Sequence, residues 1–306
     1  MEFIEVNDVV KDYSGHRALD HVSLKVKEGT VYGLLGPNGA GKTSLIRLLN
    51  QITRPDSGEI FLDGKPLAAE DVMHIGYLPE ERGLYKKMKV LSHIVYLGRL
   101  KGMSKADATR EGRQWLERMG LAEWADKKIE ALSKGMAQKV QFISTVVHNP
   151  RLLIFDEPFS GFDPVNTEQL KREILRLNEN GSTILFSTHN MASVEEVCKE
   201  FTLINKSKAV LQGNVLDIRQ QFKKNLFTIH IAEPVLAPDN MLYTIDSIKP
   251  HGLGGSEAVI RLAQGVKMKD VIGVLNQRYT LLGFEEMLPT MNEIFIETVT
   301  ESDGQA

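Results

Sequence analysis

Thr30-Val-Tyr-Gly-Leu-Leu-Gly36-Pro-Asn-Gly-Ala-Gly-Lys42-Thr43-Ser44 decides the fold. It opens on an apolar run, Thr30–Leu35, that reads as a short buried strand. Gly36 to Thr43 then fits the G-x-x-x-x-G-K-[ST] phosphate-binding pattern. Behind it Leu45, Ile46, Leu48 and Leu49 recur at helical spacing. A strand, a glycine loop and a helix N-terminus together make an anion site. The spacing leaves backbone N–H groups of residues 39–43 free to turn toward phosphate oxygens, and the helix dipole favours negative charge there. Gly39 and Gly41 let a polyphosphate lie against the backbone. Lys42 supplies a point charge for the β- and γ-phosphates, and the Thr43 hydroxyl a ligand for Mg²⁺. Gly36, Pro37, Asn38, Ala40 and Ser44 complete the set expected to touch the nucleotide. The pattern predicts a nucleoside triphosphate as ligand, not merely a glycine-rich turn ahead of a helix.

With 306 residues the chain has material for one large domain, or one domain plus a smaller one. Its 42% hydrophobic and 25% charged content is that of a globular protein. A net charge of −3 gives no reason to expect nucleic acid as a partner, so bound phosphates must be met by local geometry. The single cysteine, Cys198, excludes an intrachain disulfide and any multi-cysteine metal site, which suits the cytosol. It is expected on a helix, as a small core residue rather than a nucleophile. Met1-Glu-Phe-Ile-Glu lacks the basic and apolar regions of a signal peptide. No apolar run approaches the ~20 residues needed to span a bilayer, so any membrane channel must come from another chain.

Along the chain, roughly the first 65 residues are strand-rich, with partial alternation at Ile4–Val10 and His21–Val26 and a glycine-bounded strand at Gly58–Gly64. Residues from about 88 to 148 read as helical. From Arg151 to Leu211 strands and helices alternate, which predicts a parallel sheet with helical crossovers. The helix over about 165–179 is expected to turn Leu170, Ile174, Leu175 and Leu177 inward and to stop at Gly181. A polar helix around Asn214–Lys224 closes this part, its charges read as a solvated face. In the remainder, runs at Leu226–Ile231, Ala258–Leu262 and Tyr279–Leu282 flank a helix near 267–276, with breaks at Pro234, Pro238 and Gly252–Gly255. That remainder shows no nucleotide motif, no metal-ligand cluster and no catalytic arrangement.

A phosphate loop alone leaves several classes of nucleotide enzyme open. Arg151-Leu-Leu-Ile-Phe-Asp156-Glu157-Pro158 narrows them. An apolar strand ending in Asp156 places a carboxylate where it can hold Mg²⁺ through water. Glu157 follows, positioned to orient or deprotonate an attacking water, or else simply solvated at a strand end. His189, in Ser187-Thr-His-Asn190, ends another strand of the same sheet. It is either a structural histidine or one that reaches the γ-phosphate.

Taken in order, these motifs resemble the ATP-binding subunits of ABC transporters over residues 1–220. Residues 36–43 match the Walker A loop. Ile75-Gly-Tyr-Leu-Pro-Glu80 matches the loop that usually ends in glutamine. Leu132-Ser133-Lys134-Gly135-Met136-Ala-Gln138 stands in place of the Leu-Ser-Gly-Gly-Gln signature. Asp156 and Glu157 match the Walker B pair, Ser160-Gly-Phe-Asp163 the D-loop, and His189 the switch histidine. Tyr13 sits where the family places an aromatic against adenine, with a strand-end tyrosine in the core as the rival reading. The fold class implied is α/β: a P-loop ABC-type ATPase domain over 1–222 with a helical subdomain at about 88–148. A small C-terminal α+β accessory domain over 225–300 and a tail at 301–306 follow.

Two departures stand out. Glu80 in place of glutamine adds a negative charge near the metal, for which it joins Thr43 and Asp156 as a candidate ligand. Lys134 and Met136 replace a glycine and the glutamine of the signature. The Leu-Ser-Lys-Gly-Met form, with Leu288–Val299, resembles the bacterial sodium- and drug-exporter branch. The resemblance implies ATP and Mg²⁺ as cofactors. It further implies a second copy or a homologous ATPase subunit supplying Ser133, Lys134, Gly135 and Met136 in trans, and a separate polytopic permease met by the region from Glu80 to about 131. The expected location is cytoplasmic, peripheral at the inner face of the cell membrane. A GTPase would need an aspartate where Asn205-Lys-Ser-Lys208 ends in lysine, and a nucleotide kinase leaves the signature unexplained. The alternative from another class is a non-transport ABC ATPase acting on ribosomes or DNA, without the paired ATPase domains or coiled-coil insertions of such proteins.

Overall fold

A computed structural model describes residues 1–81, 83–234, 236, 241–252 and 254–304. It divides into two compact units, Met1–Val215 with Thr298–Ala306, and Leu216–Glu297. The larger unit opens with β1 (Glu2–Tyr13), β2 (His16–Lys27), β3 (Val31–Leu35), α1 (Lys42–Leu49), β4 (Ser57–Leu62), β5 (Lys65–Pro66) and β6 (Ile75–Leu78). Three helices that pack on one another follow: α2 (Val90–Leu100), α3 (Lys105–Arg118) and α4 (Lys134–Val146). The chain then alternates through β7 (Leu152–Asp156), α5 (Pro164–Glu179), β8 (Thr183–Thr188), α6 (Met191–Val197), β9 (Glu200–Asn205) and β10 (Lys208–Asn214).

Two sheets result. One is antiparallel, in the order β2-β1-β4-β5. The other has the order β10-β9-β3-β8-β7-β6, parallel except for β10 against β9. β3, β7 and β8 are buried along their whole length. That is why they read as unbroken apolar runs rather than alternating ones. Tyr32, Leu34, Ile154 and Leu185 share a core with Val6 and Leu24 of the first sheet and with Leu45 and Ile46 of α1.

Register turns this sheet into a platform. Leu35 pairs with Thr188, Asp156 with Ser187, and Leu78 with Phe155. The segments that follow, beginning at Gly36, Glu157, His189 and Pro79, therefore leave the same edge of the sheet side by side. Open parallel sheets bind ligands at that carboxyl edge.

The smaller unit takes up the chain within α7 (Val215–Gln221) and continues through β11 (Leu226–Ile231), β12 (Tyr243–His251), β13 (Gly255–Leu262), α8 (Met268–Leu275), β14 (Leu281–Met287) and the start of α9 (Met291–Gly304), whose residues from Thr298 on belong to the larger unit. Its sheet is antiparallel, in the order β12-β13-β11-β14. Ile229, Ile231, Ala258 and Ile260 on one face form a core with Val271 and Leu275 of α8.

Several expectations need correction. Leu175 is 37% exposed while Leu170, Ile174 and Leu177 are buried, because 175 lies off the stripe that the other three trace around α5. Cys198 is buried but follows α6 as its C-cap with extended backbone, where the chain turns into β9. Burial pushes its thiol pKa up, so it behaves as a core residue. β14 spans Leu281–Met287 rather than 279–282, and β12 was hidden by its polar composition. Its Pro250 is tolerated because β12 lies at the sheet edge. In place of a tail from 301, α9 runs to Gly304, while 305–306, Pro238 and Leu253 lie outside the described residues.

One loop contact fixes the platform to the phosphate loop. Gly36 has φ +147°, and a Cβ there would lie 2.1 Å from the Ile204 carbonyl oxygen of β9. Gly36→Ala is expected to lower the unfolding free energy by at least about 2 kcal/mol. Urea denaturation of the nucleotide-free protein measures it, and an unchanged midpoint would show that the loop is not seated on β9.

Candidate functional site

α1 begins at Lys42 with Gly41 as its N-cap, at φ +117° and without a side-chain cap bond. No acidic residue occupies its first turn. The leading N–H groups of the helix are thus left without a side-chain acceptor, as an anion site requires. A Cβ at Gly41 would meet the Ala18 carbonyl oxygen at 2.3 Å, so the loop lies hard against β2. Lys42 is buried and donates Nζ to the carbonyl oxygens of Gly36 at 2.7 Å and Pro37 at 3.1 Å. Burial lowers its pKa, opposed by the negative charges of Glu157, Asp156 and Glu80.

The carboxylates arrive from the next strands. Asp156 ends β7 at 3% exposure and accepts a hydrogen bond from the Thr43 hydroxyl at 3.3 Å. Burial raises its carboxyl pKa; Thr43 opposes the rise, and Glu157 and Glu80 add to it. Glu157 adopts a left-handed backbone, φ +50°, which costs a non-glycine residue about 1–3 kcal/mol. Its amide donates to the Ser187 carbonyl at 2.9 Å. Its carboxylate accepts from the Thr188 hydroxyl at 3.0 Å and from the His189 amide at 2.8 Å, and it lies 2.6 Å from His189 Nδ1. With Glu157 ionised the proton sits on Nδ1, which leaves Nε2 of this exposed histidine free.

These groups line a cavity of about 370 Å³ whose walls include Tyr13, Lys42, Thr43, Glu80, Asp156 and Glu157. Asn38, Gly39, Gly41 and Ser44 border it as well. Gly36, Pro37 and Ala40 hold the loop from behind, and His189 meets the cavity through Glu157. Tyr13 is half-buried at the rim, with its hydroxyl 3.5 Å from that of Thr53 and Lys11 Nζ 5.3 Å from its ring centre. Hydroxyl and carboxylate oxygens at Thr43 and Asp156 suit a hard divalent cation.

Ser133, Lys134, Gly135, Met136 and Asp163 stand apart from this cavity. Ser133 is the exposed N-cap of α4, its hydroxyl accepting from the Met136 amide at 3.3 Å. Asp163 is the exposed N-cap of α5, accepting from the Asn166 amide at 3.0 Å. The Gln138 side-chain amide donates to the Ser160 carbonyl, which ties α4 to the loop ahead of Asp163.

Sequence reasoning missed several residues, Ala18 in the cavity wall and Thr188 against Glu157 among them. His16 and Arg47 also line the cavity, without a motif to mark them. Gln141 of α4 is buried and donates Nε2 to the carbonyl oxygens of Pro79 and Glu81, both at 3.1 Å. A buried amide between Val140 and Phe142 was a readable signal, since such a group needs partners.

A profile described as "ABC transporter" matches residues 19–160, and one described as "ATP-binding protein DrrA1-3-like, C-terminal domain" matches 213–299. A third, for an AAA domain of putative AbiEii toxins, matches 127–195. The uncharacterized ABC transporter ATP-binding protein YhaQ of Bacillus subtilis is 40% identical over 296 residues, 97% of this chain and 98% of its own length. This chain belongs to the ABC transporter ATP-binding proteins. It is an ATP-binding protein and, as a member of that family, an ATPase. The Nod factor export ATP-binding protein I of Cupriavidus metallidurans is 33% identical over 69% of this ATPase and 70% of its own length. A solved structure of the ATP-binding subunit of an ABC transporter, 30% identical, superposes with a TM-score of 0.67 over 72% of this chain and 93% of that one. Among the described residues, no helix is long and apolar enough to cross a membrane.

The raised pKa of Asp156 carries a sign. The folded protein favours its acid form, so stability is gained as pH falls through the folded pKa and is lacking above it. Asp156→Asn removes the buried charge near Glu157 and Glu80 and is expected to stabilise the nucleotide-free protein by about 1 kcal/mol, a rise of roughly 2–4 °C in Tm at neutral pH. Calorimetry checks it, and a lowered Tm would show that Asp156 is stabilised by its surroundings.

Proposed function

We propose that this ATPase is the motor subunit of an exporter, closing as a dimer on ATP and driving a separate polytopic permease from the inner face of the membrane. One observation carries the reading. Lys42, Thr43, Glu80, Asp156 and Glu157 meet in one cavity, whereas Ser133 and Gly135 lie outside it at the exposed start of α4. A site divided in this way is completed by a second copy of the chain or a homologous subunit, which offers its own Ser133, Lys134, Gly135 and Met136. Lys134 supports the same conclusion. A cation at the first position of a helix opposes the dipole, and an anion arriving there offsets the penalty.

Within the cavity each group has a role. Lys42 exchanges its two loop carbonyls for phosphate oxygens. Thr43 and Asp156 would hold magnesium, with Glu80 beside them, and the ion would neutralise charge that develops on the phosphates. Glu157 orients and deprotonates the attacking water, its carboxylate aimed by Thr188 and His189. Tyr13 lies against adenine, and Asp163 meets the partner subunit. Export is supported by the Cupriavidus relative, a Nod factor export ATP-binding protein. The accessory domain, about 225–300, takes no part in nucleotide chemistry on this reading.

Glu157→Gln is expected to reduce turnover by at least about 100-fold while ATP binding persists, because Lys42, Thr43 and Asp156 remain. Steady-state hydrolysis beside equilibrium nucleotide binding measures both, and normal turnover refutes the assignment of Glu157. The shared site has its own test. Ser133→Arg and Lys42→Ala proteins should each be inactive alone, and their mixture should regain hydrolysis from one intact composite site in each heterodimer. Wild-type turnover by Ser133→Arg alone would rule out the composite site.

A further inference from the structure

In the smaller unit, three side chains remote in sequence converge on the open face of the sheet: His230 of β11, His251 of β12 and Glu257 of β13. Alternation sets the face, because Ile229, Ile231, Ala258 and Ile260 turn into the core and their neighbours turn away. Register sets the meeting. Glu257 pairs with His230 on one side and with Lys249 on the other, and His251 stands two residues beyond Lys249. His251 Nδ1 lies 3.8 Å and His230 Nδ1 4.0 Å from the same oxygen, Glu257 Oε2. The three ligand atoms fall within 4.8 Å of one another. Sequence alone showed no metal-ligand cluster in this region, because positions 230, 251 and 257 have no ligand spacing along the chain.

Two details favour an ion over a surface charge cluster. His230 Nδ1 is buried and has no hydrogen-bond partner, although it faces a carboxylate. Glu257 is fixed through its other oxygen, Oε1, by Lys249 Nζ at 2.8 Å. An outer group that orients a carboxylate in this manner is a regular part of metal sites.

We propose that His230, His251 and Glu257 bind a transition-metal dication of the zinc type, with the fourth position open to water. Two imidazoles and one carboxylate are zinc's nitrogen and oxygen ligands, whereas calcium and magnesium take oxygen. Tetrahedral bonds of about 2.0–2.1 Å set ligand atoms roughly 3.3 Å apart, so small side-chain rotations close the present gaps. The ion bridges β11, β12 and β13 and stabilises the unit by binding only its folded form.

The test uses the full-length, untagged protein, stripped with a chelator and titrated with zinc chloride against a chromogenic competitor, without ATP or magnesium. One saturable equivalent is expected, with a zinc-dependent rise in Tm. His251→Ala, at an exposed position, and the near-isosteric Glu257→Gln should keep the circular dichroism spectrum. Each should weaken zinc binding by about 100-fold or more, beyond the loss caused by removing an outer-shell partner. Undiminished zinc affinity in both variants places the ion elsewhere and overturns the proposal, as does the absence of saturable binding at micromolar zinc.

Discussion

The parallel register of β3, β8 and β7 is the constraint on which the chemistry depends. All three strands are buried from end to end, so hydrophobic burial holds them in the sheet while ladder bonds fix their alignment. Leu35 stands opposite Thr188 and Asp156 opposite Ser187, and the functional groups follow at the next positions. A slip of one residue would carry Asp156 about 3.3 Å along the strand and turn it to the other face of the sheet. Its 3.3 Å hydrogen bond from Thr43 would be lost at once. The buried core of this unit is therefore also the jig that sets its active-site distances.

What the jig assembles is electrostatically uneasy on its own. Asp156, Glu157 and Glu80 crowd one buried lysine, and burial favours the neutral form of both Asp156 and Lys42. Lys42 settles on loop carbonyls, and Glu157 takes a strained backbone to reach Thr188 and His189. Crowded like charges of this kind suit a site for a highly charged ligand and its counter-ion. Glu80 fits the pattern. It adds a third carboxylate to the cavity that Asp156 and Glu157 already line.

α4 connects that chemistry to the rest of the unit. Ser133 caps its first turn, Gln138 reaches the Ser160 carbonyl, and Gln141 holds the carbonyls of Pro79 and Glu81. One rigid helix thus touches the signature, the loop before Asp163 and the loop that carries Glu80. Ser133 accepts a bond as a cap, so its hydroxyl proton is still available to donate.

Legibility in the sequence followed the range of the interaction involved. Gly36–Thr43 was readable because strand, loop and helix are contiguous there and the backbone at Gly36 and Gly41 demands glycine, and Asp156-Glu157 because an unbroken apolar strand runs straight into two carboxylates. Glu80 and His189 needed the order of motifs along the chain, since only the sheet brings Glu80 to the cavity of Lys42 and His189 against Glu157. Leu175 was misplaced because a leucine on a helix says nothing about which flank of the apolar stripe is covered. β12 was missed because an edge strand with one open face carries Asp246, Lys249 and Pro250, a composition that reads as a loop. The same strand explains why His230, His251 and Glu257 looked unrelated. Cross-strand neighbours are set by pairing between distant segments, and residue spacing holds no trace of that pairing until the register is known. A ligand set built across a sheet is therefore hidden in the sequence, however plain its geometry becomes once the strands are aligned.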